Sequence, residues 1–189
     1  MTIRPVTITG EPVLHRPTRP VAVIDEEIRT LIADMFDTMD AAHGVGLAAT
    51  QVGIDLRLFT YDFPNDDAPD RGVIINPRLV LGRISQEAPD PDAESEGCLS
   101  VPGLSYPLKR AQWVRVTGQD EQGAPVDFEA HGWFARVMQH EIQHLDGQLY
   151  VDHLNRTWAT RARKAIRREG WGVPGLTWMP GVDEDPFGH

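Results

Sequence analysis

Two histidines four residues apart, in the sequence QHEIQHLDG at 139–147, place the strongest constraint on how this chain can fold. They lie in a longer run, WFARVMQHEIQHLDG, whose apolar residues recur at helical spacing, so a helix is predicted that ends near Gly147. Side chains at i and i+4 share one face of a helix, so His140 and His144 can reach one metal ion. The sequence therefore predicts a metal site on this helix.

Glu141, directly after the first histidine, completes the pattern H-E-x-x-H, which is typical of catalytic metal sites. An ion of the zinc type lowers the pKa of a bound water to about 7, and an adjacent carboxylate can accept its proton and pass it to a leaving group. The pattern arises by chance in about one sequence of this composition in seventy. Its position within a helical apolar run favours a metal site over chance.

The third ligand distinguishes the families that use this pattern. An extension to H-E-x-x-H-x-x-G-x-x-H is not completed, since Gly147 matches but the last position is Tyr150. Glu169, a possible ligand from the next helix, is poorly placed. Cys98 in the segment EGCLSVPG is the better candidate, because a thiolate and two imidazoles leave a fourth position open on the ion. A lone cysteine is more often a small core residue, and that alternative stays open here.

The order of the predicted elements indicates an α+β domain rather than a regular βαβ fold. A helix with Asp25 as its N-cap and Gly44 as its stop comes first, and a further helix is predicted over 155–169. The segments between them read as strands, the last two forming a hairpin. They cover 56–63, 72–77, 77–85, 111–120 and 124–132.

No repeat and no interdomain linker is found, so residues 1–169 are predicted to form one domain. The tail 170–189 contains three prolines, five glycines and an acidic run, which predicts a loosely held or flexible segment. Trp171 and Trp178 offer the alternative that the tail docks on the body.

Composition limits the cellular compartment and the binding partners of the protein. Cys98 is the one cysteine, so an internal disulfide is excluded and an oxidising compartment is not needed. The start MTIRPVTITG lacks the features of a signal peptide, and no apolar run is long enough to cross a membrane. We therefore expect a cytoplasmic protein with no membrane partner. A net charge of −10 argues against DNA as a partner, although six of the 18 basic residues lie in 156–168.

Three segments, taken together, resemble one family, the peptide deformylases. They are GVGLAATQ at 44–51, EGCLS at 96–100 and HEIQH at 140–144, and they occur in the family's order. The resemblance extends over roughly residues 3–168, which makes 1–169 the catalytic domain. It implies a metal-dependent hydrolase that removes the formyl group from the N-terminal formyl-methionine of newly synthesised polypeptides and releases formate. It also implies antiparallel or mixed sheets packed around a central helix that carries the H-E-x-x-H motif.

The resemblance implies a role for each motif residue. Cys98, His140 and His144 would hold one divalent metal ion, and Glu141 would be the general acid and base. The side chain of Gln51 and the backbone N–H of Leu99 would bind the oxyanion. The family commonly uses Fe²⁺, and Zn²⁺, Ni²⁺ or Co²⁺ also suit a thiolate with two imidazoles.

The resemblance further implies how the formyl-methionyl nascent peptide is bound. The backbone at Gly46 and its neighbours would pair with its main chain, and Gly97 is a further substrate-binding residue. An apolar pocket for the methionine side chain is expected from Val45, Leu47, Leu99, Val137 and His140. Leu47 and Val137 can equally be plain core residues.

Several assignments keep an alternative. Glu96 either orients the site and pairs with Arg110 or is a solvated loop residue, and no role is assigned to Arg136. The basic helix 156–168 either contacts ribosomal RNA, as a C-terminal helix does in some relatives, or pairs with the acidic loop 87–96 of the same chain. A metalloendopeptidase and a non-catalytic binding module are the alternative functions. The first lacks its usual third ligand, and the second should have lost a motif residue.

Overall fold

The computed structural model describes residues 2–64 and 68–188. Within these ranges the chain forms three α-helices and nine β-strands, together with short 3₁₀ turns. The helices are α1 (Glu26–Ala41), α2 (Gly132–Leu145) and α3 (Arg156–Arg168). The strands are β1 (Val6–Thr7), β2 (Gly46–Ala48), β3 (Leu58–Asp62), β4 (Arg71–Leu81), β5 (Ser95–Cys98), β6 (Val101–Pro107), β7 (Trp113–Gln119), β8 (Pro125–His131) and β9 (Thr177–Trp178).

The strands form one large and two small sheets. The central sheet has five strands in the order β2-β3-β4-β7-β8, while β5 pairs with β6 and β1 pairs with β9. Every pairing among the described strands is antiparallel. The predicted α+β class is confirmed in its antiparallel form, and the predicted hairpin is the pair β7–β8.

Both faces of the central sheet are covered by helices. Leu58, Val73 and Ile75 pack in a cluster with α1, whereas Phe59 and Ile74 pack in a cluster with α2. Successive side chains of a strand point to opposite faces, so alternate positions of β3 and β4 enter different layers. The result is a layered body with α1 on one side of the sheet and α2 on the other.

The helix α2 lies where the predicted H-E-x-x-H helix should be. Phe134, Met138 and Ile142 are buried against the sheet, and the helix contacts β2, β3, β4, β7 and β8. It ends at Leu145, and Gly147 follows with a φ of 76°, the left-handed conformation that glycine adopts after helices. The sheet therefore fixes this helix along one side and leaves its histidine-bearing face to the metal site.

The first helix is set by its caps. The Asp25 carboxylate accepts a hydrogen bond from the Ile28 N–H at 3.0 Å, as an N-cap does, and Glu26 and Glu27 occupy the first turn. The helix ends at Ala41, close to the predicted stop at Gly44. The chain can then turn into β2 at the edge of the central sheet.

The two strands predicted at 72–77 and 77–85 are one strand, so that prediction is wrong in its division. The pairing of β4 with β7 shifts register between Ile75 and Arg78, which marks a β-bulge. Pro77 has no N–H to donate, and Asn76 has a φ of 52° and exchanges two 2.9 Å hydrogen bonds with the Val21 backbone. The bulge accommodates the proline without ending the strand.

The tail lies against the body from residue 170 to residue 188. Its strand β9 pairs with β1, with Val6 opposite Trp178 and Thr7 opposite Thr177. Trp178 is 9% exposed and belongs to the α1 cluster, and Trp171 packs beside it. The tail therefore packs against the body through Trp171 and Trp178. The proline, glycine and acid content of the segment had instead favoured a flexible tail.

The basic helix α3 presents its six arginine and lysine side chains to solvent. Its few buried residues include Ala162 and Ala165, and Trp158 packs against Tyr106 of β6. Two acids of the loop that was the alternative partner are paired away from α3, since Glu94 pairs with Lys109 at 2.7 Å and Glu96 pairs with Arg110. None of the described helices is long and apolar enough to cross a lipid bilayer.

Candidate metal centre and substrate cleft

Cys98, His140 and His144 converge at one point between β5 and α2. Cys98 Sγ lies 3.2 Å from His144 Nε2, which lies 3.3 Å from His140 Nε2, and the three ligand atoms are all within 4.8 Å of one another. Four-coordinate tetrahedral binding with bonds of about 2.0–2.3 Å separates ligand atoms by about 3.3–3.6 Å. The residues present therefore fit a single metal ion, and the predicted cluster is found.

Cys98 lies where the pairing of β5 with β6 becomes irregular. Gly97 pairs with Ser105 but Cys98 pairs with Val101, so the extra residues of this bulge, 102–104, belong to β6. The Ser100 N–H donates to Cys98 Sγ at 3.4 Å. Metals bind the thiolate form of cysteine.

Glu96 orients His140. The Nδ1 atom of His140 lies 3.1 Å from Glu96 Oε1, which leaves Nε2 for the metal position. Glu96 is itself 6% exposed and forms an ion pair with Arg110 and another with Arg136. Burial opposes its ionisation, but the hydrogen bond from His140 and the charge of Arg110 hold the pKa of Glu96 well below its usual range. The solvated-loop alternative for Glu96 is therefore wrong.

Arg136 is the functional residue to which the sequence assigned no role. It is 5% exposed and donates from Nη1 to Glu96 Oε2 and to the Leu108 carbonyl oxygen, both at 2.8 Å. Its position one turn before His140 is the signal that points to it, because residues at that spacing share a face of α2. Arg136 and Arg110 together neutralise the buried carboxylate that holds the histidine.

Glu141 lies on the cleft side of α2 and is 4% exposed. Burial raises its pKa to about 7, which is close to the value a general acid and base needs at neutral pH. Its Oε2 atom has no hydrogen-bond partner within residues 2–64 and 68–188, so it is available to a reacting group. A Cβ atom on Gly46 would overlap the Glu141 carboxylate, so a larger residue at that position would displace this side chain.

Gln51 is held with its amide NH₂ toward the metal position. It is 1% exposed and lies in the 3₁₀ turn that follows β2. Its Oε1 accepts from the Ala48 N–H at 2.8 Å, which fixes the amide orientation and directs Nε2 to within 3.7 Å of Cys98 Sγ. Leu99, directly after the cysteine, is 9% exposed, and its backbone borders the same space.

These residues border a cavity of about 250 Å³ between β2 and β5. The predicted residues on its wall are Val45, Gly46, Gln51, Gly97, Cys98, Leu99, Val137, His140 and Glu141. Leu47 is not among them, because it is fully buried in the α1 cluster on the opposite face of β2. Phe63, Trp133 and Phe187 also line the cavity, and the sequence motifs did not point to them.

The fold and the cavity define a class of protein, an enzyme with a catalytic metal site on an H-E-x-x-H helix and a cysteine as third ligand. The family model described as polypeptide deformylase matches residues 3–159. The chain belongs to the polypeptide deformylase family. The family predicted from the three motifs is confirmed, and with it the class of hydrolase, in preference to a metalloendopeptidase or a binding module.

Known proteins of this family resemble the chain over its whole length. The peptide deformylases of Mycolicibacterium paratuberculosis and Rhodococcus opacus are 54% and 55% identical, covering 100% of this chain and 100% and 99% of their own. A crystal structure of a peptide deformylase from Legionella pneumophila is 38% identical with a TM-score of 0.76, covering 89% of this chain and 95% of that one. One from Synechococcus elongatus, in complex with actinonin, is 35% identical with a TM-score of 0.75, covering 90% and 91%.

Proposed function

We propose that this cavity removes the formyl group from formyl-methionyl peptides, using one divalent metal ion held by Cys98, His140 and His144. The convergence of these three ligand atoms beside the buried carboxylate of Glu141 is the observation that carries the proposal. An ion bound there supplies Lewis-acid chemistry, since it lowers the pKa of a water molecule and polarises the formyl oxygen. The protein then has to bind the peptide, stabilise charge and move one proton.

Glu141 is the residue that moves the proton. Its unpartnered Oε2 accepts the proton of the attacking water and delivers it to the nitrogen of the breaking formamide bond. The products are formate and a peptide with a free amino terminus.

Gln51 and Leu99 stabilise the negative charge that develops on the formyl oxygen. The Gln51 amide is already oriented by its bond to the Ala48 N–H, so it does not reorganise when the charge forms. The Leu99 N–H lies in the turn that follows β5, directly after Cys98. Loss of one such donor typically costs about 10²–10³ in rate.

The substrate main chain is proposed to lie between the edges of two sheets. β2 is the outer strand of the central sheet, and β5 pairs with β6 on one side. An extended peptide can therefore add to Gly46 on one side and Gly97 on the other, with main-chain hydrogen bonds. Val45, Leu99 and Val137 offer apolar contacts for the methionine side chain. Leu47 is instead buried in the α1 cluster and does not line the cavity.

We propose that the bound ion is Fe²⁺, as the family resemblance implies. One thiolate and two imidazoles also suit Zn²⁺, Ni²⁺ and Co²⁺, so reloading the protein with each ion is informative. We also propose that the protein acts in the cytoplasm, because newly made formylated chains are its substrate.

The helix α3 is proposed to contact ribosomal RNA near the emerging peptide. Its six basic side chains are exposed, and two acids of the loop that could have neutralised them, Glu94 and Glu96, pair with Lys109, Arg110 and Arg136 instead. Binding to ribosomes should weaken steeply with salt and fall when Arg163 and Arg167 are changed to glutamine. Ribosome binding that is insensitive to both would contradict this contact.

The test of the proposed function is formate release from a formyl-Met-Ala-Ser peptide. Protein purified without oxygen is stripped of metal and reloaded with Fe²⁺, Ni²⁺ or Zn²⁺ in turn. Release with at least one ion and none from the metal-free protein is the expected result. A folded, metal-loaded protein that releases no formate with any ion would overturn the proposal.

A further inference from the structure

Trp178 connects the tail to the segment that carries Cys98. Its indole N–H donates to the Leu99 carbonyl oxygen at 2.9 Å in a buried position. The N–H of that same peptide unit, at Ser100, points to Cys98 Sγ. The tail therefore holds the carbonyl side of the Leu99–Ser100 peptide unit, and the N–H side of the same unit faces Cys98, the candidate metal ligand.

Two turns bring the end of the tail back to the cavity. Beyond Trp178, the Met179 N–H donates to the Asp183 carboxylate at 2.6 Å, and the Asp183 N–H donates to the Met179 carbonyl oxygen at 2.9 Å. The Phe187 N–H then donates to the Asp185 carboxylate at 2.8 Å. These local hydrogen bonds give the segment a defined path up to Phe187.

The Phe187 ring covers the backbone of Gly97. A Cβ atom added at Gly97 would lie 2.9 Å from Phe187 Cε1, so the ring is in close contact with this glycine. Phe187 lines the cavity and packs on the α1 cluster that contains Leu99, whereas Val137 belongs to the α2 cluster. Phe187 and Val137 therefore form different walls of one cleft.

We propose that the tail segment 177–188 is a wall of the substrate cleft, in which Trp178 is the anchor and Phe187 contacts the substrate residue after methionine. The inference depends on the proposed function, since it takes the peptide main chain to run along Gly97. An apolar ring at this place favours an apolar side chain in the substrate. A charged side chain is disfavoured there, because it would lose water without gaining a partner.

The test compares Phe187→Ala with the unchanged enzyme on formyl-Met-Leu-Ser and formyl-Met-Asp-Ser. The variant should raise KM for the leucine peptide by about three- to tenfold, because part of the apolar contact area is lost. Its kcat should stay within about twofold, since Phe187 does not touch the reacting atoms. KM for the aspartate peptide should change little, so the preference for leucine shrinks. Phe187→Leu, which retains much of the apolar contact, should lie between the two proteins.

A matched control and a second readout make the outcome decisive. Val182→Ala changes an apolar side chain of the same tail that is 79% exposed, and it should behave as the unchanged enzyme. Calorimetry with the product peptide Met-Leu-Ser measures binding without turnover, and Phe187→Ala should raise its Kd by the same factor. If Phe187→Ala leaves both the binding constant and the leucine preference unchanged, the wall is not formed by the tail. An unchanged enzyme that binds Met-Leu-Ser but releases no formate from formyl-Met-Leu-Ser would count against the proposed function alone.

Discussion

Glu96 and His140 form the contact on which the geometry of the metal centre depends. The two side chains meet at 3.1 Å, and Arg110 and Arg136 hold the carboxylate from its other sides. A histidine whose second nitrogen is held by a carboxylate has a fixed ring orientation and a more basic metal-binding nitrogen. Glu96 is in turn the carboxylate that both buried arginines share, and Arg136 lies 4.0 Å from Glu94 as well.

Replacing Glu96 with glutamine should weaken metal binding and the fold together. The amide keeps the shape but leaves Arg110 and Arg136 without their shared counter-charge, which costs about 3–5 kcal/mol of unfolding free energy. Affinity for the ion should fall about 10–100-fold. Urea denaturation of the metal-free protein measures the first effect, and competition with a chelating dye measures the second. Glu87→Gln, on the exposed acidic loop, is the control, and normal metal affinity in Glu96→Gln would rule out the orienting role.

Replacing Glu141 with alanine should abolish most turnover while leaving the metal in place. The side chain is not one of the three converging ligands, so metal content by elemental analysis should match the unchanged protein. Loss of a general acid and base typically lowers kcat about 10²–10⁴-fold. Near-normal kcat in a correctly folded, metal-loaded variant would remove Glu141 from proton transfer.

Replacing Gln51 with leucine should lower kcat by about 10²–10³-fold with little change in KM, because the amide acts on charge that develops in the transition state. The variant also loses the acceptor of the Ala48 N–H, and that unpaired donor costs about 1–3 kcal/mol of stability. Thermal unfolding should therefore be measured alongside the kinetics, so that a loss of folded protein is not mistaken for a loss of catalysis. A rise in KM with unchanged kcat would assign Gln51 to substrate binding instead.

The parts of this molecule that depend on near neighbours could be predicted from the sequence. The Asp25 cap, the helix stop at Gly147 and the i, i+4 pair of His140 and His144 are all interactions within a few residues. They depend on backbone geometry that any chain of this pattern shares. Cys98 was the better candidate for the third ligand on chemical grounds, but the alternative of a core cysteine stayed open until the family resemblance, because nothing local links residue 98 to residue 140.

The parts that were missed depend on packing between distant segments. Arg136 meets Glu96 across 40 residues, and the Phe187 ring meets Gly97 across a still longer stretch of chain. For Leu47 the choice between the cavity wall and the core stayed open, because the facing of a three-residue strand cannot be read without its partner. Pairing with β3 turns Leu47 to the core. These contacts exist only once the sheets have assembled.

Removing the metal ion should lower the stability of the unchanged protein but not that of Cys98→Ser. An ion that binds only the folded state adds stability according to its concentration relative to Kd, about 2.7 kcal/mol at 100 times Kd. Thermal unfolding of protein loaded with Ni²⁺, with and without a chelator, should therefore show a clear difference in Tm. Cys98→Ser has lost the thiolate, so the same chelator should shift its Tm much less. An equal shift in both proteins would show that Cys98 does not hold the ion, whatever the activity of either.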